Sequence, residues 1–227
     1  MSDETDIRLP GVSHRTAIFG RTGSGKSRFG LWLLSRSPFD KIPYVIIDHK
    51  QEGLFQSIDR IKEIGYKDIP REPGLYLLSP DVRYENHDAN LDSWFLNVLD
   101  REKCGMYIDE GYSIRAQSRA LRTVLTQGRS KHVPVITVSQ RPSQISRFVF
   151  TEADFFAIFQ LNSDDDRKTA QSYAPKKRID LDLPLPAFHS HWYDVARDAV
   201  TKFGPVPGDE EILNVIHERL TPKKRNI

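Results

Sequence analysis

One cysteine, Cys104, is all that the 227 residues contain. No internal disulfide can form, which excludes the stapled frameworks of small secreted domains and fits a reducing compartment. No run approaches the roughly 18 consecutive apolar residues that a membrane-spanning helix requires. The opening residues, Met1 to Asp6, are acidic and hold no apolar leader stretch, so no secretory signal is expected. A surplus of one charge sign is missing too: 33 basic against 31 acidic side chains leave a formal +2. Overall charge therefore does not make the chain a polyanion binder, and any such contact must come from local clusters. Internal repeats and low-complexity tracts are also absent.

What is present is a chain with 38% hydrophobic residues, long enough to bury a substantial core. Apolar runs of strand length alternate with segments of helical spacing, the pattern of βαβ units and a parallel sheet. Strands are expected at Thr16 to Phe19, Tyr44 to Ile47 (closed by Asp48), Leu75 to Leu78, Gly105 to Ile108, Val133 to Val138 and Asp154 to Leu161. Helical spacing covers Leu54 to Ile64, through Phe55, Ile58, Ile61 and Ile64, then Leu91 to Leu99. A further helix spans Ser118 to Thr126, with Gly128 as its stop. Ser163 followed by Asp164, Asp165 and Asp166 reads as a capped helix start. Near the C-terminus, Trp192 to Val195 and Ala199 to Phe203 suggest a hairpin around Arg197-Asp198. A last helix, Asp209 to Leu220, precedes the basic run Lys223-Lys224-Arg225.

Directly after the first strand stands Gly20-Arg21-Thr22-Gly23-Ser24-Gly25-Lys26-Ser27. This is the G-x-x-x-x-G-K-[ST] phosphate-loop pattern in the strand–loop–helix context that it needs. The glycines let backbone N–H groups turn inward around a triphosphate, Lys26 reaches the β- and γ-phosphates, and the Ser27 hydroxyl is a Mg²⁺ ligand. The following helix aims its positive end at the phosphates. A partner site is expected on a neighbouring strand, and Met106-Tyr107-Ile108-Asp109-Glu110 supplies two carboxylates at a strand end. Asp109 is assigned to the metal and Glu110 to the general base that polarises the attacking water. Gln140, at the tip of a third strand, is assigned to the γ-phosphate or the lytic water. Asp48-His49-Lys50 frames the same pocket without an assigned step. Neither D-x-x-G nor N-K-x-D occurs, so guanine recognition has no visible basis.

The phosphate loop, Ile47-Asp48-His49-Lys50, Tyr107 to Glu110, Gly128-Arg129-Ser130 and Val138 to Pro142 follow in an order that resembles the FtsK–HerA superfamily of ring-forming DNA-translocating ATPases. The resemblance implies a three-layer α/β fold, RecA-like, with a central mostly parallel sheet and a small C-terminal hairpin plus helix. It covers residues 14–205 as the ATPase core, between an N-terminal arm (1–13) and a C-terminal helix with a basic tail (206–227). It implies ATP and Mg²⁺ as cofactors, a homohexameric ring, and Arg129 as a finger inserted into the neighbouring subunit's site, with Arg122 and Arg119 as runners-up. A bare core of this length resembles the genome-packaging ATPases of tailless, internal-membrane phages of the tectivirus type. That likeness implies double-stranded DNA and capsid-vertex or membrane-associated packaging proteins as partners, and a place at the virion's packaging vertex and in the host cytoplasm. Candidate DNA grips are Arg115, Arg119, Arg122, Arg141, Arg147, the run Lys176-Lys177-Arg178 and the tail. The same motor could serve conjugation, phage export or DNA repair. A small-molecule phosphotransferase also uses a phosphate loop, but Asp109-Glu110 with Gln140 speaks against it.

Overall fold

Continuous apolar strands must be covered on both faces, and the chain achieves this with one sheet between two helical layers. The computed structural model describes residues 7–221, so the acidic start and the basic tail Lys223-Lys224-Arg225 lie outside the described residues. The strands are β1 (Arg15–Phe19), β2 (Pro43–Asp48), β3 (Lys62–Ile64), β4 (Gly74–Leu78), β5 (Gly105–Asp109), β6 (Val135–Ser139), β7 (Phe155–Ile158), β8 (Ser190–Asp194) and β9 (Ala199–Phe203). The helices are α1 (Lys26–Arg36), α2 (His87–Arg101), α3 (Arg119–Gln127), α4 (Phe148–Thr151), α5 (Asp164–Gln171) and α6 (Asp209–Leu220). Sheet order is β3-β4-β2-β5-β6-β1-β7-β8-β9. Pairing is parallel from β3 to β7, and only β8 runs against the others.

Side-chain alternation along the strands decides which layer each residue meets. Ala17 and Phe19 face the core formed with α2, α3 and α4, among Trp94, Phe95, Leu121, Val124 and Phe150. Ile18 faces the opposite core, with Phe29, Leu31 and Leu34 of α1 and Ile212 and Ile216 of α6. The C-terminal helix is thus docked on the same core as the phosphate-loop helix. Arg219 secures its far end on the Ser35 carbonyl (2.6 Å) and on Asp40.

Most expected elements are present, including the β8–β9 hairpin around Arg197-Asp198 and the last helix. Ser118, expected as the first helical residue, is instead the cap of α3: its hydroxyl accepts from the Leu121 N–H (3.0 Å) and donates to Asp92 (2.6 Å). Gly128 ends α3 with an ordinary helical φ of −62°. A Cβ there would press within 2.5 Å of the Val124 carbonyl, so close approach, not a left-handed turn, calls for glycine.

Two expectations are corrected. Leu54 to Ile64 is not a helix: separate turns cover its first part, and Lys62–Ile64 adds a short edge strand beside β4. Phe55 and Ile58 are buried as their spacing promised, but Gly53 and Arg60 take positive φ (86° and 65°) and break the helical path. Ser163 has the extended backbone of a cap but makes no side-chain capping bond. Asp166, in the first turn of α5, instead accepts from the Ser143 N–H (3.0 Å) and hydroxyl (2.7 Å).

Candidate active site

Register fixes the site before any side chain is considered. β6 lies between β1 and β5, pairing Phe19 with Ser139 and Ile108 with Thr137, so the loops after β1, β6 and β5 share one sheet edge. Residues 20–25 leave β1 there and turn into α1 with Gly23 and Gly25 at φ 75° and 99°, a region open to glycine at little cost. The loop is held by Gly20 N–H to the Ser139 carbonyl (3.3 Å) and Arg21 N–H to the Gln160 carbonyl (2.9 Å). A helix start leaves its first N–H groups without intrahelical acceptors. The first turn of α1 contains no acid that would repel an anion. The Ser24 hydroxyl is buried without a partner among the described residues.

Lys26 is 3% exposed, and its pKa is lowered chiefly by burial against the opposing pull of Glu110. Its ammonium lies 4.0 Å from Glu110 Oε1, which Lys50 holds much closer, at 2.6 Å. Burial works against the Lys50 charge, but the Glu110 carboxylate outweighs it and raises the Lys50 pKa. Glu110 is 1% exposed and takes φ 52°, ψ 60°. For a long side chain this left-handed conformation is uncommon and costs energy, as is frequent where a group must be aimed into a site. Its Oε2 has no hydrogen-bond partner among the described residues.

Asp109 closes β5 beside Asp48. Its backbone carbonyl accepts from the His49 ring Nδ1–H (2.9 Å), while Asp48 fixes the Lys50–Gln51 turn through two backbone N–H groups. Burial first, then the Glu110 charge, pushes the Asp109 pKa up to about 7. One Asp109 oxygen is buried without a partner among the described residues, and Asp109 and Ser27 line a common cavity of about 50 Å³. A carboxylate and a hydroxyl facing the phosphate loop fit Mg²⁺, which keeps most of its shell for water and phosphate oxygens. No cluster of three metal-ligating side chains exists among the described residues.

The Asp109 shift carries a stability consequence with a definite sign. A carboxyl whose folded pKa lies above its unfolded value of about 4 keeps a proton that the unfolded chain has already lost. Its contribution therefore falls as pH rises from about 4 to about 7, by up to about 1.4 kcal/mol per pH unit. Urea unfolding of nucleotide-free protein in chelator is expected to give a flatter profile over this window for Asp109→Asn than for the parent. Parallel profiles would contradict the assignment.

Gln140 follows β6 and joins the two halves. Its Oε1 accepts from the Thr22 hydroxyl (2.5 Å), and its Nε2 donates to the Tyr112 hydroxyl (3.4 Å) just past Glu110. The structure thus brings together every expected residue of the phosphate loop with Asp109, Glu110 and Gln140.

Arg129 is elsewhere. It follows α3 and pairs with Asp154, whose other oxygen accepts from the Arg15 N–H (2.8 Å) at the start of β1. At about 3.3 Å per residue, β1 separates that edge from the phosphate loop by about 13 Å. Arg129 thus stands outside its own chain's site, 61% exposed at the side chain. Of the candidate grips, Arg115 is paired with Asp88 and Asp92, and Arg178 with Asp198. Arg119, Arg122, Arg141 and Arg147 are exposed, and no carboxylate among the described residues pairs with them. The guanidinium groups of Arg122 and Arg147 both lie over the Phe148 ring, at 5.6 and 5.4 Å.

Sequence reasoning missed Lys50 as the partner of Glu110, although its place just beyond a strand that ends at the same edge was a usable signal. It also missed Phe188, which lies against the phosphate loop and carries no motif.

Comparison with known proteins agrees with this geometry. The DNA packaging ATPase P9 of Enterobacteria phage PRD1 is 34% identical over 217 residues, covering 91% of this chain and 93% of that protein. The genome packaging NTPase B204 of Sulfolobus turreted icosahedral virus 2, solved with ATP-gammaS, superposes with a TM-score of 0.70 at 18% identity, over 87% of this chain and all of that one. The cytoplasmic domain of the Thermomonospora curvata Type VII secretion ATPase EccC shares the fold at a TM-score of 0.60 and 15% identity, over 94% of this chain and 28% of that one. The family model described as "Helicase HerA, central domain" matches residues 2–172. The α/β sheet, the loop between β1 and α1 and the acids after β5 agree with that match, and the chain belongs to the HerA central-domain family of P-loop ATPases.

Proposed function

We propose that the protein is an Mg²⁺-dependent ATPase that drives double-stranded DNA into a viral capsid. The observation that carries this reading is the convergence of Lys26, Ser27, Asp109, Glu110 and Gln140 on one sheet edge. The likeness to a phage DNA packaging ATPase over nine-tenths of the chain supports the cargo.

Loop N–H groups and Lys26 hold the β- and γ-phosphates, with Lys26 exchanging its contact with Glu110 for phosphate oxygens. Ser27 and Asp109 would hold Mg²⁺, which would supply positive charge against that of the phosphates. Glu110 takes the proton of the attacking water, once its pairing with Lys50 is released. Gln140, already linked to Thr22 and Tyr112, senses whether the γ-phosphate is present. Residues 14–205 act as the motor core. Arg129 completes the site of the next subunit in a homohexameric ring, where its charge offsets that on the transferring phosphoryl group. Arg119, Arg122, Arg141 and Arg147 grip phosphates without reading bases. The ring docks on vertex or membrane-associated packaging proteins, in the virion and, during assembly, in the host cytoplasm. No helix among the described residues is long and apolar enough to cross a membrane.

The test is the steady-state ATPase rate of pure protein with and without double-stranded DNA. A severalfold rise with DNA is expected. A rate indifferent to DNA, with phosphate transferred to a small acceptor, would overturn the translocase reading in favour of a phosphotransferase.

A further inference from the structure

An aromatic ring left over the phosphate loop, outside the hydrolytic machinery, carries a second assignment. Phe188 sits in the turn before β8, 44% exposed, with φ +61°. A bulky residue in the left-handed region is a genuine outlier, and such strain persists chiefly at ligand clamps and active sites. The ring packs on the loop itself: a Cβ built on Gly25 would stand 3.0 Å from Phe188 Cδ1. Gln160 ties the two segments, its carbonyl accepting from the Arg21 N–H (2.9 Å) and its side-chain oxygen from the Leu185 N–H (2.7 Å).

Phe188 forms one wall of a cavity of about 230 Å³ whose floor is the loop from Gly23 to Arg28, closed by Leu54 and Asp209. Arg28 donates to Asp209 (2.9 Å) and sets its guanidinium 5.7 Å from the Phe188 ring centre. Ser27 and Leu54 line both this cavity and the smaller one that contains Asp109, so the two spaces are neighbours. The sheet order gives a direction. Glu110 follows β5, on one side of β1, so a triphosphate with its γ-phosphate toward Glu110 extends its other end toward β7 and β8, where Phe188 waits.

We infer that Phe188 is the stacking platform for the nucleobase of ATP, in the cavity between Leu54, Phe188 and the Arg28–Asp209 pair. The inference rests on the reading of the loop as the triphosphate site. A flat, apolar, π-rich face suits a purine. Contacts with Gly25 and with the Arg28 guanidinium hold the ring in place, and the rings of Phe29 and Phe159 (5.6 Å apart) pack against each other nearby.

Isothermal titration in Mg²⁺ with ATP and with inorganic tripolyphosphate separates base from phosphate recognition. Stacking of one base on an aromatic side chain corresponds to roughly 5- to 150-fold in affinity. Phe188→Ala is expected to weaken ATP by such a factor and leave tripolyphosphate within about twofold, while Phe188→Trp keeps ATP affinity near the parent's. Equal loss of both ligands in Phe188→Ala would mean that the ring merely supports the loop, and unchanged ATP affinity would remove it from the site. Either result overturns the inference. Failure of the parent to bind tripolyphosphate would overturn the reading of the loop itself, and this inference with it.

Discussion

Glu110→Gln is expected to slow ATP turnover by roughly 10²- to 10⁴-fold while ATP remains bound, the range that general-base catalysis typically contributes. The amide matches the carboxylate in volume, so a side chain buried to 1% exposure keeps its packing. What disappears is the only feature of Glu110 that chemistry needs, an oxygen able to take a proton. The groups proposed to hold phosphate, the loop amides and Lys26, are not themselves substituted. Lys50 loses its anion but is 24% exposed at the side chain and can turn to water. Equilibrium binding of a fluorescent ATP analogue beside single-turnover hydrolysis measures the two effects independently. A variant that still hydrolyses within tenfold of the parent would remove Glu110 from its role. One that no longer binds would show that the residue serves the fold of the pocket.

Arg129→Ala is expected to cost about 10³- to 10⁵-fold in turnover, the worth of an arginine finger. The geometry makes the source of that loss testable. Arg129 is at the sheet edge opposite the phosphate loop, tied to Asp154, and cannot reach the phosphates bound by its own chain. The fold should tolerate its removal, because Asp154 keeps the Arg15 N–H (2.8 Å). Mixing Arg129→Ala subunits with Lys26→Ala subunits creates interfaces where an intact loop faces an intact Arg129, so part of the activity should return although neither variant works alone. Mixed samples as inactive as each component would refute the assignment, and the same experiment on Arg122 and Arg119 would then identify the finger.

The placement of the candidate site was legible in the sequence wherever a strand end announced it. The phosphate loop, Asp109-Glu110 and Gln140 each follow an apolar run, and parallel register brings such ends to one edge whatever the loops do. Lys50 also follows such a run. That placed it at the shared edge, but the choice of Glu110 as its partner is a side-chain contact, and Glu110 itself takes a left-handed backbone that glutamate's identity does not suggest. Phe188 was hidden for a related reason: an isolated aromatic among prolines and histidines has no period, and only the fold carries it back over Gly25. The false helix at Leu54 to Ile64 reflects a different limit. Phe55 and Ile58 are three apart and both buried, but a single turn meets that spacing as well as a helix does, and Arg60 leaves the helical region.

Lys26, Lys50, Asp109 and Glu110 stand together at the sheet edge that carries the phosphate loop. Both ammonium groups face the Glu110 carboxylate, Lys26 at 4.0 Å and Lys50 at 2.6 Å, so one anion is shared between two cations. On the proposed function, an arriving triphosphate would compete with Glu110 for the same cations and release the proposed base. Loading and arming would then be one event.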